Sequence, residues 1–220
     1  VVEAKPDYMG LVFAPSKRQV TVDKAKTLVE ELHKQYAKTY GTNTVPMNAE
    51  ITQDTNGFGE ENTNSEAIKT VGVFVNETLD NLVTIAKEAN LDAVQLHGDE
   101  DEAFIQALKE KTEVEVWKAV QIRSAADAEV WIDSSADMLL FDAYHKDERG
   151  GTGEVFDWSC LDEFERPFML AGGIDSANVA RAIRTVRPYG VDISSGIETD
   201  GVKDDEKIKA FTNIVRTIAH

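Results

Sequence analysis

Seven short apolar runs, each followed by a stretch long enough for a helix, recur from one end of this chain to the other. The runs are YMGLVF (8–13), VGVFV (71–75), AVQLH (93–97), VEVWKAV (114–120), MLLFD (138–142), FMLA (168–171) and VDIS (191–194). Most are continuous in apolar character rather than alternating, the pattern of parallel strands covered on both faces. The intervening stretches carry helical periodicity over residues 22–40, 79–89, 101–111, 177–186 and 203–219. In TVDKAKTLVEEL, Thr21 can cap, acids and lysines face water, and Ala25, Leu28, Val29 and Leu32 make one buried stripe. Strand and helix alternating throughout predict an α/β fold with a parallel sheet.

A closed ring of this kind, the (β/α)8 or TIM barrel, needs eight strands. VVEAKP, ahead of the first run, looks like the tail of a helix. Residues 1–220 therefore read as a single (β/α)8 TIM-barrel domain whose first strand and most of whose first helix lie upstream of residue 1. An open doubly wound sheet is the alternative that the pattern leaves standing. Residues 41–65 break the rhythm: they are rich in Asn, Thr, Gly and acids and hold no Lys or Arg. They read as an exposed, mobile surface insertion between a helix and a strand.

The formal net charge of −17 argues against nucleic acid or an anionic membrane as partner, since both repel an acidic surface. A small anionic substrate stays open, because a few donors reverse the field inside a cleft. No apolar run approaches the ~20 residues that span a bilayer, and VVEAKPDYMG has no basic segment leading into an apolar one. A cytoplasmic protein is expected. The single cysteine, Cys160, leaves no internal disulfide framework and no multi-cysteine zinc site.

In a barrel the working groups stand where strands end and loops begin. FMLA runs into Gly172 and Gly173 ahead of a helix, with Asp175 and Ser176 as candidate caps, and VDIS runs into Ser194, Ser195 and Gly196. Glycines let backbone N–H groups approach an anion, and a helix start adds a favourable dipole. Either pair could serve only to permit a tight turn; two adjacent turns after the last two strands favour a phosphate site. MLLFD ends on Asp142, a carboxylate costly to bury unless something uses it. Its candidate uses are general acid catalysis and an ion pair with Arg149 or Lys146. The loop ERGGTGE lacks P-loop spacing, so Gly150, Gly151 and Gly153 read as a mobile lid. Arg18 stands at the rim, where it either receives a carboxylate or is simply solvated. His97 has no second histidine at ligand spacing and reads as a hydrogen-bonded structural residue rather than a base or metal ligand. Lys118, within VEVWKAV, is a nominal Schiff-base candidate, and Cys160 is expected to pack.

GLVFAPSKRQV, VGVFVNE, VQLHGDE, FDAYHKDERGGTGEVFDW, LAGGIDSANV and VDISSGIETDGVKD together resemble the phosphoribosylanthranilate isomerase family of tryptophan biosynthesis. The resemblance covers essentially the whole chain apart from residues 41–65. It implies an isomerase acting on a small phosphosugar without cofactor or metal, as a monomer or homodimer. The implied reaction takes N-(5-phosphoribosyl)anthranilate to 1-(2-carboxyphenylamino)-1-deoxyribulose 5-phosphate, an Amadori rearrangement. By motif position Asp142 matches the family's general acid, Arg18 the arginine that holds the anthranilate carboxylate, and Asp192 the acid that contacts the sugar. Gly173 and the Ser194–Ser195–Gly196 turn match the phosphate site, with Gly172 part of the same glycine turn. The family's general base is a cysteine in a Lys-x-Cys-Gly motif, which does not occur in these residues. Cys160, in DWSCL, belongs to the sixth strand–helix unit and does not replace it, so the motif is expected upstream of residue 1. Two other readings are a non-catalytic phosphosugar-binding barrel and a different phosphosugar barrel enzyme, such as an epimerase or an aldolase-like lyase.

Overall fold

The computed structural model describes residues 1–40, 67–143 and 157–218. The 41–65 insertion and the glycine-rich lid with Lys146 and Arg149 lie outside the described residues.

Seven parallel strands form one sheet: β1 (Tyr8–Val12), β2 (Lys69–Phe74), β3 (Ala93–Leu96), β4 (Glu115–Ile122), β5 (Met138–Ala143), β6 (Phe168–Ala171) and β7 (Gly190–Val191). Their order in space is their order in sequence. A doubly wound sheet reverses direction at a switch point; this one never does. The helices are α1 (Val22–Tyr40), α2 (Leu79–Glu88), α3 (Glu102–Lys109), α4 (Ala125–Glu129), α5 (Val179–Val186) and α6 (Asp205–Ile218). Short 3-10 turns occupy Val2–Ala4, Trp158–Leu161 and Ser195–Ile197. Among the described residues no helix is long and apolar enough to cross a membrane.

Side chains alternate across each strand, so the sheet has two apolar faces. Phe74, Val94, Leu96, Val116, Ile122, Leu139, Phe141, Phe168 and Leu170 share one large core with Leu82, Ile85, Ile105, Leu108, Val179 and Ala182 of the helices. Val71, Ala93, Trp117, Ala119, Leu140, Met169 and Ala171 form a second cluster drawn from strands alone. Among the described residues helices thus cover one face only, and the sheet curls to fill the other with its own side chains, as in a barrel interior. The curl brings the two edge strands toward each other: Arg18, after β1, pairs with Glu198, after β7. Behind them Lys209 of α6 reaches Glu3 at 3.0 Å, and Arg216 donates to the Lys5 carbonyl.

The seven expected strands all form, with shifted ends. β4 continues through Gln121 and Ile122, and the VDIS run keeps regular pairing only at Gly190–Val191, although Asp192 N–H still donates to Leu170 O at 2.8 Å. α5 begins at Val179, because Asp175 and Asn178 first build a tight turn. Ahead of α6 the expected helix start is instead an antiparallel hairpin, β8 (Glu198–Thr199) and β9 (Val202–Lys203). Asp200 and Gly201 at its tip both have positive φ, at 53° and 78°. Cys160 sits in the 3-10 turn and packs against the outer core, where burial pushes its thiol up.

Candidate active site

Alternation decides where Asp142 points. Leu140, two residues earlier, lies in the inner cluster, whereas Leu139 and Phe141 face the helices. Asp142 therefore continues the inner face at the C-terminal end of β5, where the run of apolar neighbours stops. The same parity carries Ala93, Gln95 and His97 along the inner face of β3.

These residues meet. His97 Nε2 lies 3.3 Å from Asp142 Oδ2, and both side chains are about one-third exposed, at 32% and 29%. Gln95 Nε2 stands 2.9 Å from His97 Nδ1 on the other side of the ring. With the Gln95 amide donating to Nδ1, the imidazole proton sits on Nε2 and faces the carboxylate. His97 is thus hydrogen-bonded, as expected, and it is also the neighbour of the proposed acid. Asp192 completes the cluster and opens to solvent through the mouth. The protein around it disfavours its charge, and Asp142 adds like-charge repulsion. Together these push the Asp192 carboxyl above its ordinary value, against His97 and Lys203.

The glycine turns lie directly beside this cluster. Asp142 pairs in register with Ala171, the residue before Gly172. Gly172 and Gly173 have φ of 83° and 61°, a conformation that a side chain strains. Asn178 Nδ2 fastens the turn by donating to Gly173 O at 2.7 Å, and Asp175 Oδ1 accepts the N–H of Ala177 at 2.8 Å. Gly196 packs onto the same turn: a Cβ there would stand 2.5 Å from Ile174 O and 3.2 Å from Asp175 Cα. The turns after β6 and β7 are therefore one surface. Lys203 donates to Ser194 O and Lys207 to Glu198 O, each at 2.7 Å, which places two ammonium groups on the Ser194–Gly196 side.

Arg18 is brought to the rim but is not merely solvated. Its guanidinium engages Glu198, whose side chain is only 8% exposed and which also pairs with Lys203 at 3.3 Å. Burial pushes the Glu198 carboxyl up, and the hydrogen bonds and charges of Arg18 and Lys203 outweigh it, leaving the group below its ordinary value. Lys118 does not reach the mouth. It is buried on the helix-facing side of β4, bound to Gly98 O and Glu100. Sequence reading missed Glu198, Lys203 and Lys207. Their signals were an acid two residues past a glycine turn and lysines two and six residues after the Asp200–Gly201 dipeptide.

The sequence profile of the family described as "N-(5'phosphoribosyl)anthranilate (PRA) isomerase" matches residues 42–214. The chain is 42% identical over 218 residues to an N-(5'-phosphoribosyl)anthranilate isomerase of Thermoanaerobacter sp. (strain X514), covering 98% of this chain and 90% of that one. The fold is similar to crystal structures of phosphoribosyl anthranilate isomerase. The Thermotoga maritima protein superposes with a TM-score of 0.74 at 31% identity, covering 98% and 91% of the two chains. A second structure, described as the isomerase in complex with reduced 1-(o-carboxyphenylamino)-1-deoxyribulose 5-phosphate, superposes with a TM-score of 0.72 at 29% identity, covering 98% and 90%.

Proposed function

The chain belongs to the N-(5'phosphoribosyl)anthranilate isomerase family, and from that premise we propose how its own residues carry out the rearrangement of N-(5-phosphoribosyl)anthranilate to 1-(2-carboxyphenylamino)-1-deoxyribulose 5-phosphate. The phosphate binds to the amides of Gly172, Gly173, Ser194, Ser195 and Gly196, with Lys203 and Lys207 supplying positive charge nearby. Arg18 receives the anthranilate carboxylate, and Asp192 accepts from the sugar hydroxyls. So fixed, the furanose lies across the inner-face cluster.

Asp142 donates a proton to the furanose ring oxygen, and the C1–O bond breaks to give a protonated Schiff base. Asp192 is the second carboxyl of the mouth, and burial together with the charge of Asp142 raises its pKa. His97, against Asp142, holds that carboxyl in place. Loss of the C2 proton then gives an enolamine, which relaxes to the ketone. The resemblance implies that the cysteine of a Lys-x-Cys-Gly motif removes that proton. These residues do not contain the motif, so they account for binding, orientation and protonation. The rearrangement moves hydrogen within one molecule and is neutral in electrons.

The observation that carries this reading is the register of Asp142 with Ala171, which sets the acid one strand from the start of the phosphate turns. The test follows the loss of substrate fluorescence with protein expressed from its complete coding sequence. Asp142→Asn should lower kcat by about 10²–10⁴-fold, while affinity for the reduced product analogue stays near wild type. Full turnover in that variant would remove Asp142 from the reaction.

A further inference from the structure

Among the described residues the Arg18 guanidinium is held on one side only. Its Nε donates to Glu198 Oε1 at 2.9 Å, and its Nη2 lies 2.7 Å from the same oxygen. These atoms form one edge of the planar fork. The other edge, Nη1 with the second hydrogen of Nη2, is left for a second acceptor, and the side chain is 36% exposed. Glu198 itself is 8% exposed and fixed from behind: Lys203 Nζ lies 3.3 Å from the same Oε1, and Lys207 donates to its carbonyl. It also opens the β8–β9 hairpin. A buried carboxylate anchored to a hairpin is a rigid mount, whereas an arginine on a rim loop must give up rotamer freedom each time it binds. Glu198 stands two residues past Gly196, so the same mount ties the loop after β1 to the phosphate turn.

We propose that Glu198 is a positioning residue that sets substrate specificity: it fixes the Arg18 fork so that its open edge meets the aryl carboxylate at a set distance from the phosphate site. The inference rests on Arg18 being the carboxylate receiver. Glu198 touches no reacting atom; it acts through Arg18. It recognises, at one remove, an ortho-carboxylated arylamine joined to a phosphorylated sugar, and it gives no advantage to the same ligand without the carboxylate.

Two ligands test this by calorimetric titration: the reduced product analogue and its counterpart made from aniline, which lacks the carboxylate. Wild type should prefer the carboxylated ligand, and Arg18→Met should abolish that preference. Glu198→Gln is close in volume and removes the charge. It should weaken the carboxylated ligand about ten-fold and leave the aniline ligand within two-fold. In an Arg18→Met background it should change neither. Arg18→Lys keeps the cation without the fork; it should show the same selective loss and serves if Glu198→Gln does not fold. Equal weakening of both ligands by Glu198→Gln would mean a merely structural residue and overturn the inference. Tighter binding of the carboxylated ligand would overturn it too, since repulsion by Glu198 would then outweigh its mounting of Arg18. If Arg18→Met keeps the preference, the assignment of Arg18 fails first; if Arg18→Met loses it while Glu198→Gln keeps it, only the role of Glu198 fails.

Discussion

Replacing Lys118 with methionine should be among the most damaging single changes outside the mouth. Lys118 and Glu100 are each 3% exposed at the side chain, with Nζ and Oε2 3.2 Å apart. Glu100 also accepts the N–H of Asn76 at 2.7 Å and that of Gly98 at 2.9 Å, while Lys118 donates to Gly98 O at 2.7 Å. One carboxylate thus gathers the chain just past β2, the chain just past β3, and the middle of β4. Methionine fills the space but leaves the anion with two backbone donors and no cation. Removing one partner of a buried pair costs about 3–5 kcal/mol, and the two surviving N–H bonds put this case near the lower end, about 3 kcal/mol. At roughly 2–4 °C per kcal/mol for a domain of this size, the melting temperature should fall by about 6–12 °C. Removing both charges, in Lys118→Met with Glu100→Gln, should recover about 1–2 kcal/mol of that loss, because no unpaired charge is left buried. Urea unfolding followed by tryptophan fluorescence reads both quantities, Trp117 being the neighbour of Lys118. A single-variant cost under about 1 kcal/mol, or a double variant whose loss is the plain sum of the singles, would refute the reasoning.

Two further outcomes bear on the mouth. Gly196→Ala drives a Cβ to 2.5 Å from Ile174 O, a backbone atom that cannot turn aside. It should cost about 1–3 kcal/mol and weaken inorganic phosphate, read by titration; unchanged phosphate affinity would remove this turn from the cradle. For Asp192 the sign runs opposite to that of a salt-bridged acid. Its folded-state pKa is raised from 3.8, so the native state binds its proton more tightly than the unfolded chain, and stability falls as pH rises through that window. Asp192→Asn should therefore raise the melting temperature at pH 7 and flatten the acid slope while lowering turnover. A lower melting temperature at pH 7 would show that the carboxylate is not a burden to the fold.

The strands were legible because burial on both faces writes itself into sequence as unbroken apolar runs. Asp142 was legible for a related reason: a charge ending such a run has to lie where the core stops. Its partner was not. His97 lies in a different run, and only the parallel register of β3, β4 and β5 brings the ring to the carboxylate. The same run of residues that gave β7 misled at its far end. The run alternates to Ile193, but regular pairing stops at Val191: Asp192 still bonds to Leu170 O, and Ile193 would face Gly172, where the chain leaves β6. The hairpin after Glu198 carried its own signal, an Asp-Gly pair of the kind that tolerates positive φ at both positions, which the helical reading of residues 203–219 overrode.

Charge shows why the least legible contact matters most to an anionic substrate. With a net charge of −17 the chain repels phosphate and carboxylate from most of its surface. The cations that the described structure gathers at this mouth are Arg18, Lys203 and Lys207, and all three attach to Glu198, two by its carboxylate and one by its carbonyl. Without that carboxylate, Arg18 would lose its mount, while Lys203 and Lys207 would keep their bonds to the Ser194 and Glu198 carbonyls. With it, the three cations hold fixed places around a single buried anion. The attraction each can offer a ligand is reduced by the charge it already faces, but its position is set before the ligand arrives. If this mouth meets a carboxylate at one end and a phosphate at the other, as proposed, fixed spacing discriminates where added charge would only attract.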